Sequence, residues 1–409
     1  MKNFFKVMDI EAVCALRTQF PVVAAEAVPL ASVDGRILAE MIAADLDIPG
    51  FARSTMDGYA LQAATTFGAS EGNPGYVAVV GSVAMGEQPA LRIGPGEAVR
   101  VATGGMLPPG ADAVVMIEHT EILDEATIEV YKSVAPGQHV VARGEDIAAG
   151  EKLLVRGQLV RPQEAGLLAA MGCETVPVYR QPHIGIISTG DEVVPVSAVP
   201  GPGQIRNVNS TTLAAMVRTA GGRPRDYGII NDNADRLKAA CARALAENDM
   251  LLVSGGSSVG MRDFTIEAFE AQPASAIMVH GVSISPGKPT ILARSGDKPM
   301  WGIPGHVTSA MVVFRVLVEP FIFHLGGRNK GSRQRLTIPA RLARNLASAQ
   351  GRVDFVRVRL VDHEDALYAE PLLGKSGLIN TMVKADGLVR IAADAEGLDK
   401  GDLVAVELF

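Results

Sequence analysis

The stretch LLVSGGSSVGMRDFT, residues 251–265, joins an apolar run to six small residues, broken by one valine, and then to an isolated acid, Asp263. The apolar run is typical of a buried strand. The small residues that follow let backbone N–H groups approach an anion without intervening side chains. Because ligands in open α/β sheets bind beyond the carboxyl ends of the strands, we expect an anion-binding loop here.

The region 182–328 around this loop alternates strand and helix patterns. The strand patterns are 183–188, 226–230, 250–254, 276–282 and 299–304, and the helix patterns are 209–222, 234–248, 264–271 and 307–325. In the second helix pattern the apolar residues recur at helical spacing on one face, namely Leu237, Ala240, Cys241, Ala244 and Leu245. The alternation predicts a doubly wound, three-layer α/β domain with a parallel sheet covered on both faces.

The sequence before this region has a different pattern. Residues 51–140 are rich in Gly, Pro and Val, with short apolar runs separated by turns, which favours β-structure. Helix-like sequence occurs on both sides of them, at 8–20 and 161–172. We therefore predict a discontinuous N-terminal domain, residues 1–50 and 141–181, into which a β-rich domain of residues 51–140 is inserted.

The sequence after it is also β-like. In 354–361, valine and leucine alternate with Arg357 and Arg359, as in a half-buried strand. Residues 329–409 are predicted to form a small β-barrel-like domain, so the fold class is multidomain α/β plus β.

The composition argues against several kinds of partner. The chain has 409 residues, a net charge of -7 and scattered Lys and Arg, which disfavours nucleic acid and anionic membranes. Its three cysteines are far apart and form no CxxC pair, so neither a disulfide framework nor a zinc site is indicated. No run approaches 18 uninterrupted apolar residues, so we expect no membrane helix and a cytoplasmic protein.

Four acids lie at strand ends or in loops of the α/β region: Asp191, Glu192, Asp232 and Asp263. Carboxylates beside an anion-binding loop suit Mg²⁺, which proteins usually hold by one or two carboxylates together with substrate phosphates. The alternative for Asp232 and Asp263 is a structural role, because each precedes a helix pattern and could be its N-cap.

Four further loops carry polar residues. Lys288 lies between two prolines in SPGKPT and would be a fixed positive charge for an oxyanion, although an exposed surface lysine fits equally well. Asp57 and Thr103 stand at glycine-containing bends, which turn chemistry also explains. The segment GKSG, 374–377, is typical of an anion-contacting turn.

In order along nearly the whole chain, the loops resemble the molybdopterin molybdenumtransferase family, MoeA and the C-terminal domain of gephyrin. The segments that carry the resemblance are STMDGYA, VATGGMLPPGADAVVM, RGEDI, ISTGDEV, GQIRNVNS, SGGSSVGMRDFT, PGKPT, GIPG followed by TSA, GRVDF, and GKSG leading to MVKADGLV. The resemblance implies a homodimeric four-domain enzyme of molybdenum cofactor biosynthesis, with active sites between subunits. It would insert molybdate into adenylylated molybdopterin, cleave the adenylate with Mg²⁺ and release AMP. A molybdopterin adenylyltransferase and molybdoenzyme apoproteins or their chaperones are the implied partners.

The resemblance also assigns roles to residues. The catalytic set would be Asp57, Thr103, Glu192, Asp232, Asp263 and Lys288, with Glu192, Asp232 and Asp263 as Mg²⁺ ligands. Molybdate would be bound by Lys288, Arg352, Ser376 and Ser309. Pterin and nucleotide would be bound by Thr189, Gly190, Asp191, Ser254, Gly255, Gly256, Ser257, Gly260, Pro286, Gly287, Pro304 and Gly305.

The sequence departs from the family pattern at two places. Ser285 stands where the family usually has lysine, and His306 and Val307 stand where it has Asn-Pro. Loss of a positive charge at Ser285 predicts altered oxyanion handling, so a tungstate-inserting or specialised paralogue and a non-catalytic pterin carrier are the alternatives. A molybdopterin adenylyltransferase and a scaffold are disfavoured, the first by the extra terminal regions and the second by the lack of a long linker.

Overall fold

The structure is a computed structural model that describes residues 7–255, 259–329, 335–363 and 366–409, without the side chains of 259–263. The chain forms two compact units. One unit comprises residues 41–155 and 163–174, and the other comprises residues 1–40, 156–162 and 175–409. The four predicted domain boundaries stay a prediction.

The unit 41–155 and 163–174 is built mainly of short strands. The elements from the start of the chain to residue 179 are α1 (Ile10–Ala15), β1 (Ala25–Pro29), β2 (Ile37–Leu38), β3 (Ile42–Ala43), β4 (Arg53–Ser54), β5 (Gly58–Leu61), β6 (Gly75–Val83), β7 (Glu97–Val101), β8 (Ala113–Met116), β9 (Thr120–Ile122), β10 (Thr127–Val130), β11 (Val140–Val141), β12 (Lys152–Leu154), α2 (Pro162–Ala170) and β13 (Thr175–Tyr179). A six-stranded sheet in the order β8-β5-β7-β6-β10-β9 encloses an apolar core of its own. The expectation of β-structure here is confirmed.

The larger unit contains the α/β domain. Its elements are β14 (His183–Thr189), β15 (Val193–Val194), β16 (Ile205–Arg206), α3 (Val208–Thr219), β17 (Arg223–Ile230), α4 (Ala234–Glu247), β18 (Met250–Ser254), α5 (Val259–Glu270), β19 (Ser275–His280), β20 (Ile284–Ser285), β21 (Ile291–Ser295), β22 (Lys298–Ile303), α6 (Val307–Val313), a π-helical turn (Phe314–Val318) and α7 (Glu319–Leu325). Two apolar clusters lie on opposite faces of its sheet, which confirms the three layers. The predicted apolar face of α4 is buried.

The six-stranded sheet has the order β17-β14-β18-β22-β21-β19 and is mixed rather than parallel. β14, β17, β18 and β22 are parallel, whereas β21 is antiparallel to both of its neighbours. The expectation of a parallel sheet was therefore wrong at this edge. A two-residue turn joins β21 to β22 as a hairpin, and Gly296 in that turn has φ +55°. The Gly-Asp pair between two apolar runs is a hairpin signal. The strands predicted from the sequence include 299–304 but none at 291–295, so this hairpin was missed.

Two helix starts differ from expectation. Asn233, not Asp232, caps α4, because its side chain accepts a hydrogen bond from the backbone N–H of Arg236. The helix α5 begins at Val259 rather than near residue 264, so Asp263 lies within it. The alternative roles of Asp232 and Asp263 as N-caps were therefore wrong.

The remaining elements of the larger unit form the predicted small barrel. They are β23 (Thr337–Leu342), β24 (Leu346–Ala347), β25 (Val353–Asp362), β26 (Leu367–Pro371), α8 (Asn380–Val383), β27 (Gly387–Ile391), β28 (Gly397–Leu398) and β29 (Leu403–Leu408). Five strands close in the order β25-β26-β23-β29-β27, because β27 pairs back with β25. β20 of the α/β domain pairs with the start of β25 and so joins the two domains.

The helical segment Val307–Leu325 is long and apolar enough, by length and composition, to cross a membrane. Two thirds of its most apolar window is buried within the protein, however. Trp301 of the sheet contacts Phe321 of this segment edge to face, with ring centroids 5.0 Å apart. Packing against the sheet therefore explains its apolar composition.

Candidate functional site

A cleft of about 790 Å³ opens beyond the carboxyl ends of β14 and β18. Its lining residues are Ser188, Thr189, Gly190, Glu192, Val193, Pro200, Ile205, Arg206, Asn207, Val208, Asn209, Asp232, Ser254, Gly255, Gly305, His306, Val307, Gly377 and Ile379. A cavity of this size is large enough for a nucleotide-sized ligand. The predicted pterin and nucleotide residues Thr189, Gly190, Ser254, Gly255 and Gly305 lie together here.

A buried layer of polar side chains supports the cleft. Asn209 Nδ2 donates to Ser254 Oγ, at 2.7 Å, and to the carbonyl of Gly305, at 2.8 Å. Asn207 caps α3 and accepts a hydrogen bond from Ser188 Oγ at 3.0 Å. The two asparagines therefore hold the loops after β14, β18 and β22 at fixed spacing.

Gly255, the first glycine of the loop, is required by the close packing of the backbone against Thr189. Gly255 has φ +145°, and a Cβ there would lie 2.0 Å from Thr189 Oγ1. Thr189 Oγ1 is buried and has no hydrogen-bond partner among the described residues. The glycine thus lets the backbone approach a threonine hydroxyl that is left without a partner beside the cleft.

Three of the four predicted acids gather at the same edge. Asp191 Oδ1 accepts hydrogen bonds from the Asp232 backbone N–H, at 3.1 Å, and from Asn231 Nδ2, at 3.2 Å. Asp232 Oδ1 is buried and has no hydrogen-bond partner in the described part of the chain. Burial, together with the negative charges of Asp191 and Glu192, raises the pKa of Asp232.

These carboxylates suit a divalent cation with substrate. Within the described residues, no three His, Cys, Asp or Glu side chains are close enough to hold a metal by themselves. Mg²⁺ commonly takes only one or two protein carboxylates and completes its shell with water and phosphate oxygens. An unpartnered buried oxygen of Asp232, with Glu192 lining the same cleft, fits that mode of binding.

Lys288 lies apart from the lining of the cleft, on the turn between β20 and β21. It is exposed and makes no ion pair with a described residue. Gly287 packs so closely on α6 that a Cβ would lie 2.4 Å from Val313 Cγ2. Pro286 precedes it on the same turn.

Arg352 directly precedes β25, which pairs with β20 just before this turn. In that pairing Ser285 of β20 is in register with Asp354 of β25. The guanidinium of Arg352 forms an ion pair with the buried Asp354, with Nε 2.9 Å from Oδ1. The arginine expected to bind an oxyanion is therefore already paired with a carboxylate.

Ser376 contacts the start of α6. Its Oγ lies 2.9 Å from His306 Nδ1, and its carbonyl accepts a hydrogen bond from the Thr308 backbone N–H at 3.1 Å. Ser309 is buried on the same helix, and Pro304 is buried before it. At the departure His306, a residue that lines the cleft therefore contacts Ser376 through its imidazole.

Asp57 and Thr103 lie in the other compact unit and contact each other. Asp57 Oδ1 accepts hydrogen bonds from the Thr103 backbone N–H, at 2.6 Å, and from Thr103 Oγ1, at 2.9 Å. These bonds lower the pKa of Asp57. Both residues are exposed, so the pair presents an ionised carboxylate to solvent.

Four predicted residues fall where the structure gives no side-chain description. Gly256 and Ser257 lie outside the described residues, and Gly260 and Asp263 lie on the part of α5 whose side chains are not described. Their predicted roles stay predictions.

The sequence reasoning assigned no role to Asn207, Asn209 and Arg206, which the structure places at the cleft. Polar residues before a helix pattern are typical of caps, and Asn207 does cap α3. Asn209, on the first turn of α3, was the signal in the sequence that could have indicated a polar layer beside the cleft.

The fold and the cleft define a class of protein: a multidomain α/β protein with a large cleft beyond the ends of its parallel strands, where proteins of this fold bind their ligands. Residues 8–172 match the MoeA N-terminal region (domain I and II), residues 185–324 a probable molybdopterin binding domain, and residues 339–409 the MoeA C-terminal region (domain IV). The chain belongs to the MoeA family of molybdenum cofactor biosynthesis.

Relatives match over most of their length. A putative molybdopterin biosynthesis protein of Methanocaldococcus jannaschii is 39% identical over 383 residues, 91% of this chain and 89% of the relative. A molybdopterin molybdenumtransferase of Bacillus subtilis is 34% identical over 379 residues, 91% of this chain and 87% of the relative. The prediction of an enzyme of this family is confirmed, since curated relatives are named as transferases.

Solved structures agree with the fold. Two crystal structures of molybdopterin biosynthesis MoeA proteins from Pyrococcus horikoshii have TM-scores of 0.82 and 0.86, at 36% and 29% identity. They cover 98% and 99% of this chain, and 99% and 100% of their own chains are matched. The predicted fold class is confirmed.

Proposed function

We propose that this protein is a molybdopterin molybdenumtransferase that takes adenylylated molybdopterin and molybdate. It cleaves the adenylate in a Mg²⁺-dependent step and releases AMP and molybdenum cofactor. The observation that carries the proposal is the cleft of about 790 Å³, beside which Asp232 Oδ1 and Thr189 Oγ1 have no partner among the described residues. Such groups cost free energy unless a ligand or metal satisfies them.

In this proposal Asp232 and Glu192 hold Mg²⁺, which when bound neutralises charge on the phosphoanhydride. Asn209 fixes the loops around the ligand, through Ser254 and Gly305. Lys288 supplies a positive charge outside the cleft lining, where the incoming oxyanion would approach. The raised pKa of Asp232 supports the metal role, because a cation restores the ionised form that burial and neighbouring acids disfavour.

The test is AMP release from adenylylated molybdopterin by purified protein with Mg²⁺, with molybdate, with tungstate and without oxyanion. Asp232→Asn should lower the rate at least about a hundredfold, because it removes the metal carboxylate. Asp235→Asn is the matched control, since Asp235 is on the same loop-to-helix segment and its side chain is 95% exposed. Asp235→Asn should keep the rate within about twofold.

Each outcome is informative. Oxyanion-dependent release that is lost only in Asp232→Asn supports the proposal and names the preferred metal. Tight binding of adenylylated molybdopterin without AMP release would instead make the protein a pterin carrier.

We further propose, from the resemblance, that the protein is a homodimer whose active sites combine Asp57 of one subunit with Asp232 of the other. Mixing inactive Asp57→Asn and Asp232→Asn proteins would then give hybrid dimers with one intact site. Random mixing should restore about a quarter of the unaltered activity, since half of the dimers are hybrid and half of their sites are intact. No restoration in a mixture shown to exchange subunits would refute the shared site.

A further inference from the structure

The cleft beyond β14 and β18 contains a guanidinium to which no role has been assigned so far. Arg206, on β16, is the only lysine or arginine among the described residues that line this cleft. The acids Glu192 and Asp232 line the same cleft. Arg206 forms no ion pair with either acid or with any other described residue, so its positive charge is not neutralised within the described part of the chain.

Backbone contacts fix the position of this arginine. Its Nε donates to the carbonyl of Val196, at 3.1 Å, and to the carbonyl of Ala198, at 3.0 Å. The backbone N–H of Ile205 donates to the carbonyl of Glu192 at 2.8 Å, which holds β16 beside the loop after β14. Nη1 and Nη2 of Arg206 have no hydrogen-bond partner among the described residues, and the side chain is exposed. Both nitrogens are therefore available to a ligand.

The separation of positive and negative charge in the cleft suits a phosphate that is bound together with Mg²⁺. If Glu192 or Asp232 were paired with Arg206, neither the acid nor the arginine would be available to a ligand. Because they are not paired, the acids can hold the cation while the arginine contacts the anion directly. The planar guanidinium offers two parallel N–H donors, a geometry that matches two oxygens of one phosphate.

We propose that Arg206 binds the phosphate of the adenylate, with Nη1 and Nη2 as a two-pronged donor to its oxygens. This inference rests on the proposed function and adds to it the residue by which the site recognises that phosphate. A phosphate monoester carries a charge of about −1.5 to −2 at pH 7, so AMP is a suitable probe of the contact. Adenosine lacks the phosphate and is the matched neutral probe.

The test compares Arg206→Gln with Arg218→Gln in the full chain with Mg²⁺. Arg218 is exposed on α3, the helix that follows β16, makes no ion pair with a described residue and does not line the cleft. The affinity for AMP, measured by calorimetry, should fall at least about tenfold in Arg206→Gln and less than about twofold in Arg218→Gln. The affinity for adenosine should change by less than about twofold in both variants.

A second variant separates charge from geometry. Arg206→Lys keeps the positive charge but not the planar pair of donors, so its affinity for AMP should also fall, by about threefold or more. An equal loss of affinity for AMP and adenosine in Arg206→Gln would mean that Arg206 only holds the loop 195–204, and would overturn the inference.

The failure of this inference is distinguishable from the failure of the proposed function. Unchanged affinity for AMP in both Arg206 variants, with AMP release from adenylylated molybdopterin intact, would overturn the inference alone. Absence of AMP release by the unaltered protein would overturn the proposed function together with the inference that rests on it.

Discussion

Asp232→Asn should make the protein more stable at neutral pH while it removes the proposed activity. In the fold, Asp232 Oδ1 is buried without a described partner, and Asp191 and Glu192 add negative charge nearby. The unfavourable part of this arrangement is the ionised carboxylate, because the pKa of Asp232 is raised. An uncharged amide of the same shape removes it.

The magnitude follows from the charge that asparagine removes. The amide still places a polar atom at the buried position, so the gain comes only from the desolvation of the carboxylate and its repulsion by Asp191 and Glu192, both of which partial exposure weakens. We expect a gain of about 1 kcal/mol, or about 2 °C in Tm for a chain of this length.

The pH dependence has a definite sign. The carboxyl binds its proton more tightly in the folded protein than in the unfolded chain, so ionisation favours unfolding. The advantage of Asp232→Asn should therefore be present at pH 7 and above. It should disappear as the pH falls towards the ordinary aspartate pKa, where the carboxyl is protonated in both states.

Thermal unfolding without divalent cations, from pH 4 to pH 8, measures this difference, with Asp235→Asn as control. Added Mg²⁺ should raise the Tm of the unaltered protein more than that of Asp232→Asn. A variant less stable than the unaltered protein at pH 7, or equally shifted at pH 4 and pH 8, would refute the reasoning.

Three other predictions concern the packing of the α/β domain. Gly255→Ala should destabilise the protein by about 3 kcal/mol in urea unfolding, since its Cβ would overlap Thr189 and its φ is +145°, and an unchanged midpoint would contradict this. Burial raises the pKa of Cys241 to about 12. A thiol reagent at pH 8 should therefore label at most two of the three cysteines in the folded protein and all three after unfolding. Rapid labelling of all three cysteines in the folded protein would contradict this. Burial opposes ionisation of Asp249, but two hydrogen bonds from Arg180, at 2.6 and 2.7 Å, help to lower its pKa. Asp249→Asn should therefore lower the free energy of unfolding by about 1 kcal/mol at pH 7 and by progressively less below pH 4. Unfolding measured across that pH range checks this.

The α/β domain was largely predictable because its signals are local. The apolar face of α4 and the buried strand β18 follow from residue spacing, and both occur as expected. The antiparallel β21 was not predicted, because a short apolar run followed by Gly-Asp reads equally as a strand end or a hairpin until its partner is known. Pairing with the neighbouring strands β19 and β22, and not the local sequence, determines the antiparallel direction of β21.

The candidate site was predictable only in part. The glycine-rich loop and the acids directly follow strand patterns in the sequence. Because ligands of such sheets bind beyond the carboxyl ends of the strands, these residues could be predicted as site residues. The pairing of Arg352 with Asp354, and the hydrogen bond from Arg357 to the Gly374 carbonyl, depend on which strand face each residue occupies and on loops distant in the chain. His306 contacts Ser376 across 70 positions of sequence, a contact that no local pattern indicates.

The most direct test of the central claim is the stoichiometry of a single turnover. Excess protein, limiting adenylylated molybdopterin, Mg²⁺ and molybdate are mixed, and AMP and pterin-bound molybdenum are both quantified. The account predicts that the two products appear together in a one-to-one ratio, and that both are lost in Asp232→Asn. AMP formed without molybdenum on the pterin, or release unaffected by Asp232→Asn, would contradict it.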